Sequence, residues 1–146
     1  MKTLKKILQE VKRSPERAET LVRNISKRQN TPEIKFKDFN GPKSLNFDNE
    51  YSKWEYYRKV LNTEPERKLI PINNIVVGQS GVGPETVIHN IKHKQNENPD
   101  PEIDPDYPIT VIKKNGVYHL ADGHHRYFAK KVQGETHIDA HVYNDE

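Results

Sequence analysis

The spacing of apolar positions changes several times along this chain, and each change predicts an element. Leu4, Ile7, Leu8 and Val11 share one face of a first helix. Ser14-Pro15 then supplies an N-cap and a first-turn proline for a second helix carrying Ala18, Leu21, Val22 and Ile25, so the chain opens as a helical hairpin. Pro32, Gly41 and Pro42 interrupt the next stretch, within which Glu33 to Phe39 alternates as a short strand does. Tyr51, Trp54, Tyr57 and Leu61 mark a third helix with Lys53, Arg58 and Lys59 interleaved. Aromatic faces beside cations can stack bases, but Trp54, Tyr57 and Leu61 stand at core spacing, and core packing is the expectation there.

Past residue 68 the pattern turns to strands and turns. Gly78-Gln79-Ser80-Gly81-Val82-Gly83-Pro84 reads as a loop leading into a helix over 84–96, with Val87, Ile88 and Ile91 on its buried face. Gln95 to Tyr107, rich in proline and acid, predicts an exposed connection. Asn115-Gly116 between Ile109–Ile112 and Val117-Tyr118 is a two-residue hairpin signal. Val117 to Ala121 then alternates as a strand, and Phe128, Ala129 and Val132 return at helical spacing up to Gly134. Ile138, Ala140 and Val142 form the inward face of a last strand, leaving His137, Asp139 and His141 on the other.

Composition narrows the class. The 146 residues, 32% hydrophobic and 31% charged with a mean hydropathy of -1.01, suit one modest domain with polar extensions. The basic N-terminus is soon broken by charge and does not read as a signal peptide, and no stretch approaches a membrane span, so a cytoplasmic protein is expected. The absence of cysteine excludes disulfides, thiolate nucleophiles and zinc–thiolate sites. Charge divides the chain into residues 1–68, a basic and mostly helical region with a net charge of +7, and residues 69–146, with a net charge of -4. The basic part is a candidate grip for nucleic acid or an acidic protein, or a solvated lysine-rich face.

Candidate chemistry collects at Asp122-Gly123-His124-His125-Arg126-Tyr127, where strand gives way to helix. Asp122 falls where an N-cap belongs, with its carboxylate expected to accept from the N–H of His124 or His125, and Gly123 leaves the backbone open to a ligand. Unbonded N–H groups at a helix start form an anion site, to which Arg126 and two imidazoles add donors; phosphate is the natural guest. An imidazole beside phosphate is expected to be protonated and to donate. The same residues also admit a plainer reading, in which Asp122 only caps, Gly123 only turns and the cations face water. Two other histidine groups have metal-ligand character: His89 with His93, four apart on a helix but without the glutamate of a zinc protease, and the strand face of His137, Asp139 and His141.

The Asp122–Tyr127 turn resembles the signature of the ParB/sulfiredoxin superfamily, in which a strand, a Gly-x-His-Arg type of turn and a helix bind nucleoside triphosphate phosphates. Leu69-Ile70-Pro71-Ile72 with Val77-Gly78-Gln79, Pro108-Ile109-Thr110-Val111, and Glu135 to Val142 resemble other strands and a loop of that family in family order, extending the resemblance over about residues 69–143. Sulfiredoxins have a catalytic cysteine where this chain has His124, so sulfinic-acid reduction is excluded. The form here is closer to the family's free serine kinases and ParB-like nucleases. No helix-turn-helix follows the turn, so a partition clamp is not expected.

The resemblance implies an α+β fold: a small mixed sheet with the 84–96 and 124–133 helices packed on it, preceded by the basic helical region. It implies a nucleoside triphosphate, ATP or CTP, at Gly123, His124, His125 and Arg126, with Gln79 and Ser80 of the earlier loop as further contacts. Asp122, His125 and His124 are the catalytic candidates; His125 matches the histidine the family shares, and His124 is placed to serve substrate. Asp122 is also the candidate magnesium ligand. Two function classes follow. One is a phosphotransferase or hydrolase acting on a nucleoside triphosphate. The other is a nuclease or nucleic-acid-binding module gripped through the basic region, and a toxin or effector of a bacterial or phage conflict system is compatible with either.

Overall fold

A computed structural model describes residues 12–36, 45, 47–92 and 107–146. The helix expected over Leu4 to Val11, the far end of the Glu33–Phe39 strand, His93 and nearly all of the 95–107 connection lie outside the described residues.

Helix α1 (Pro15–Gln29) begins as its sequence predicts: Ser14 Oγ accepts from Arg17 N–H at 3.3 Å, Pro15 occupies the first turn, and Asn30 closes the helix in the left-handed region at φ 54°. Strand β1 (Ile34–Lys35) pairs antiparallel with β4 (Gly81–Val82), forming a two-stranded ribbon. Helix α2 (Glu50–Val60) is capped by Asn49, whose Oδ1 accepts from Ser52 N–H at 2.8 Å. The main sheet follows from β2 (Glu66–Pro71), β3 (Ile75–Val76), β5 (Ile109–Lys114), β6 (Val117–Asp122) and β7 (His137–Asn144). Helix α3 (Pro84–Lys92) precedes β5, and α4 (His124–Val132) joins β6 to β7.

The sheet order is β2-β7-β5-β6-β3, with β5 antiparallel to β6 and parallel to β7. This is a mixed α+β architecture, as the element pattern predicts. Asn115 and Gly116 turn the β5–β6 hairpin at φ 55° and 76°, the pair of positive angles for which Asn-Gly is suited. In β7, Ile138, Ala140 and Val142 are buried while the residues between them are more exposed, so the period-2 reading holds.

Helices α1, α3 and α4 pack against one another and share one apolar cluster with the sheet: Val22 and Ile25 from α1, Val87 and Ile91 from α3, Phe128 and Val132 from α4, and Ile109 and Val111 from β5. The change in charge near residue 68 is one of composition; packing runs across it. Among the described residues, no helix is long and apolar enough to cross a membrane.

Helix α2 departs from expectation. Trp54 is 60% exposed, Tyr51 74% and Leu61 37%, and Val60 is the residue of this helix that is buried. The helix is held by its other side: Tyr56 Oη donates to Asp145 Oδ2 at 2.7 Å, Lys114 Nζ lies 5.2 Å from the Tyr56 ring, and Phe47 packs on Tyr56 and Tyr57. The Tyr56 hydroxyl holds the Asp145 carboxyl below its ordinary range, as expected for a hydrogen bond to the charged form.

Because Ile25 sits in the common cluster at 5% exposure, Ile25→Ala should destabilise the protein by about 2–4 kcal/mol in urea unfolding, with the transition remaining cooperative. A loss no larger than that of a surface substitution would show that α1 is not part of this core.

Candidate functional site

Strand β6 ends at Asp122, and the chain turns into α4 through Gly123 at φ 101°. A Cβ at Gly123 would stand 2.7 Å from Ile109 Cγ2 and 2.8 Å from Arg126 Nη2 besides requiring a strained backbone, so glycine is demanded twice. Here the structure corrects the sequence expectation. Gly123, not Asp122, is the N-cap residue, and no side chain caps the helix. Asp122 remains part of the strand with its side chain 78% exposed, its Oδ2 3.9 Å from Arg126 Nη2. The left-handed turn at Gly123 separates the carboxylate from the helical N–H groups it was expected to cap.

The first helical bond of α4 runs from Tyr127 N–H to Gly123 O at 2.8 Å, so the N–H groups of His124 and His125 precede the helical ladder. Their side chains do not face water as free cations. His124, 6% exposed, packs its ring beside Phe36 and accepts the Gly78 N–H at Nε2 across 2.9 Å. His125 Nε2 accepts the Gly83 N–H at 3.2 Å. Two consecutive imidazoles thus fasten the start of α4 to both ends of the 78–83 loop. A Cβ on Gly78 would come within 2.5 Å of Leu120 O, so only glycine lets this backbone lie against β6.

These bonds call for neutral rings, whereas protonated ones are the expectation beside bound phosphate. A nitrogen that accepts carries no proton, so both rings are neutral and their proton sits on Nδ1. Burial is the main cause: it pushes His124 down to about 4, with Asp122 partly offsetting and His125 adding to the fall, and it lowers His125 with help from the Arg126 guanidinium. His124, expected to serve substrate, has its Nε2 engaged by the Gly78 N–H.

Arg126 is 6% exposed, its guanidinium 5.7 Å from the Tyr107 ring. Around it opens a cleft of about 400 Å³ lined by Gln79, Thr86, Asn90 and residues 121–126. Gln79 is the loop residue that reaches it, steadied by its Nε2 bond to Gly81 O at 2.7 Å. Ser80 is exposed and lies outside this lining. Sequence reasoning missed Thr86 and Asn90. Asn90 is 1% exposed; its Nδ2 donates to Thr86 O at 2.9 Å, while its buried Oδ1 has no hydrogen-bond partner. The signal was a lone polar residue in the apolar stripe of Val87, Ile88 and Ile91. A buried acceptor left without a donor is unfavourable by about 1–3 kcal/mol, so Asn90 invites a donor into the cleft.

Of the rival metal groups, His89 with His93 lies partly outside the described residues, and the β7 face is engaged otherwise. Asp139 is held by Arg67, with Nη2 2.7 Å and Nε 3.0 Å from Oδ2, and the Tyr107 ring packs edge-on to His141. Among the described residues, no group of three His, Asp or Glu is placed to hold a metal ion.

The neutral imidazoles generate a pH prediction. The His124 pKa is about 4 in the folded protein against an ordinary 6.5, so the unfolded chain binds more protons between those values. Stability is then fully present above pH 6.5 and falls as pH drops toward 4, by roughly 3 kcal/mol from His124. Lowering of His125 and His119 acts in the same direction. Urea unfolding over that range should show the decline, and His124→Gln, which keeps an acceptor but cannot titrate, should flatten it. An equal slope in wild type and variant would contradict the assignment.

A scan against protein-family models finds no match to this chain, and a search of curated proteins finds none at a significant level.

Proposed function

We propose that the chain binds a nucleoside triphosphate through its phosphates at Gly123–Arg126 and catalyses phosphoryl transfer or triphosphate hydrolysis, a reading that also follows the resemblance to the ParB/sulfiredoxin superfamily. The observation that carries it is the cleft itself. The N-terminus of α4 and the buried Arg126 meet there, and among the described residues Asp122 is the one carboxylate in its lining. Such a pocket favours a polyanion and leaves one acidic group at its lip, which could hold a metal ion or accept a proton.

In this reading each group has a separate task. The N–H groups of His124 and His125 and the guanidinium of Arg126 hold phosphate oxygens and stabilise charge developing on them. The imidazoles act from the neutral state: their Nε2 atoms fix the glycine loop, and their Nδ1–H groups are the available donors. Asp122, at the lip, is the ligand for a magnesium ion carried by the phosphates, or the base for an attacking hydroxyl. Such an ion would neutralise phosphate charge. Gln79 borders the phosphates, and Ser80 is left out of the contact set.

The alternative of a nuclease or nucleic-acid module rests on the basic first part of the chain. Several of its cations are matched within the molecule: Arg67 with Asp139, Arg23 with Glu19 and Glu85, and Lys12 with Glu135. That pairing favours the solvated-face explanation of the +7 over a polyanion grip, and the phosphate cleft over the basic surface as the seat of function.

Asp122→Asn isolates the catalytic part of the proposal. The side chain is exposed and caps nothing, so the fold should be unaffected. The variant should still bind nucleotide while its phosphoryl-transfer or hydrolytic turnover falls by roughly a hundredfold or more. Unchanged turnover would reduce the site to a binding pocket.

A further inference from the structure

The exposed side of α2 is explained by what stands opposite it. Lys53, Trp54, Tyr57 and Leu61 form one wall of a second cleft of about 390 Å³, whose other wall includes Gln79, Ala121, Asp122 and His124. Those last four residues also line the phosphate cleft, so the two hollows meet over the end of β6. One is polar, with the Arg126 guanidinium and the start of α4 in its wall; the other offers an indole, a phenol ring and a leucine with a lysine beside them. A ligand with a phosphate tail and a flat ring at its other end has this division of chemistry.

We propose that α2 supplies the ring subsite of the nucleotide site, with the base stacking on Trp54 and flanked by Tyr57 and Leu61; this rests on the phosphate reading of the α4 turn. An indole left 60% exposed on a helix otherwise anchored through Tyr56 presents its face to solvent until a planar partner covers it. The Tyr56–Asp145 bond and the Phe47 contacts hold the other side of the helix, and Trp54 stays exposed. Lys53 stands beside the ring site, where a cation attracts the π-face of a base or its ribose-linked phosphate. The helix lies before residue 69 and thus outside the stretch that carries the family resemblance.

Trp54 is the sole tryptophan of the chain, so its fluorescence reports this subsite directly. Adding ATP or CTP should quench it, whereas inorganic tripolyphosphate, which has no ring, should bind by calorimetry without quenching. Trp54→Ala should weaken nucleoside triphosphate binding about tenfold or more while leaving tripolyphosphate affinity unchanged, and Trp54→Phe should recover most of the loss. Nucleotide that binds Trp54→Ala as tightly as wild type, or binds wild type without altering the fluorescence, would overturn the ring subsite and leave the phosphate site standing. Failure of nucleotides and tripolyphosphate alike to bind would overturn the phosphate reading and the ring subsite with it.

Discussion

Two hydrogen bonds between imidazole and glycine hold the rest of the site in place. His124 and His125 take the Gly78 and Gly83 N–H groups, and in doing so they fix a loop from the middle of the chain against a turn more than forty residues later. Both bonds need an unprotonated Nε2. Burial keeps it so for His124, which is drawn under Phe36 and the loop it holds. The arrangement is self-consistent: the loop buries the ring, burial keeps the ring neutral, and the neutral ring accepts from the loop. It also disposes of the view that these residues are merely solvated cations on a helix end.

The same bonds set what surrounds the cleft. With the loop pinned, Gln79 faces the α4 start, Val82 joins the core, and β4 can pair with β1. Helix α3 begins immediately after Gly83 and brings Thr86 and Asn90 to the opposite wall. Arg126 is then enclosed, so its charge acts in a medium where it is screened less than at a surface. Asp122, left at the lip by the Gly123 turn, keeps its carboxylate exposed and caps no helix.

Local pattern made much of this legible. The switch from alternation at Val117–Ala121 to helical spacing at Phe128–Val132 located β6, the turn and α4, and Asn115-Gly116 located the hairpin. What escaped depended on distant parts of the chain. An aspartate before a glycine reads as a cap unless the glycine's own φ is known, and here Gly123 takes the cap position itself. The neutrality of His124 needs Gly78 and Phe36, which no window around residue 124 contains. Trp54 and Leu61 stand at a spacing that suits a core equally well, because periodicity defines a face without saying what covers it. Asn90 was hidden for the opposite reason, as a polar residue whose apolar neighbours drew the attention.

The account turns on neutral imidazoles fastening a glycine loop beside the proposed phosphate site, and nitrogen NMR of the histidine rings reads that directly. His124 and His125 should show the neutral Nδ1–H tautomer at neutral pH, with His124 resisting protonation until about pH 4, and the His124 and His125 backbone amides should shift when tripolyphosphate is added. Rings that titrate near the ordinary histidine value, together with amides indifferent to the anion, would contradict it.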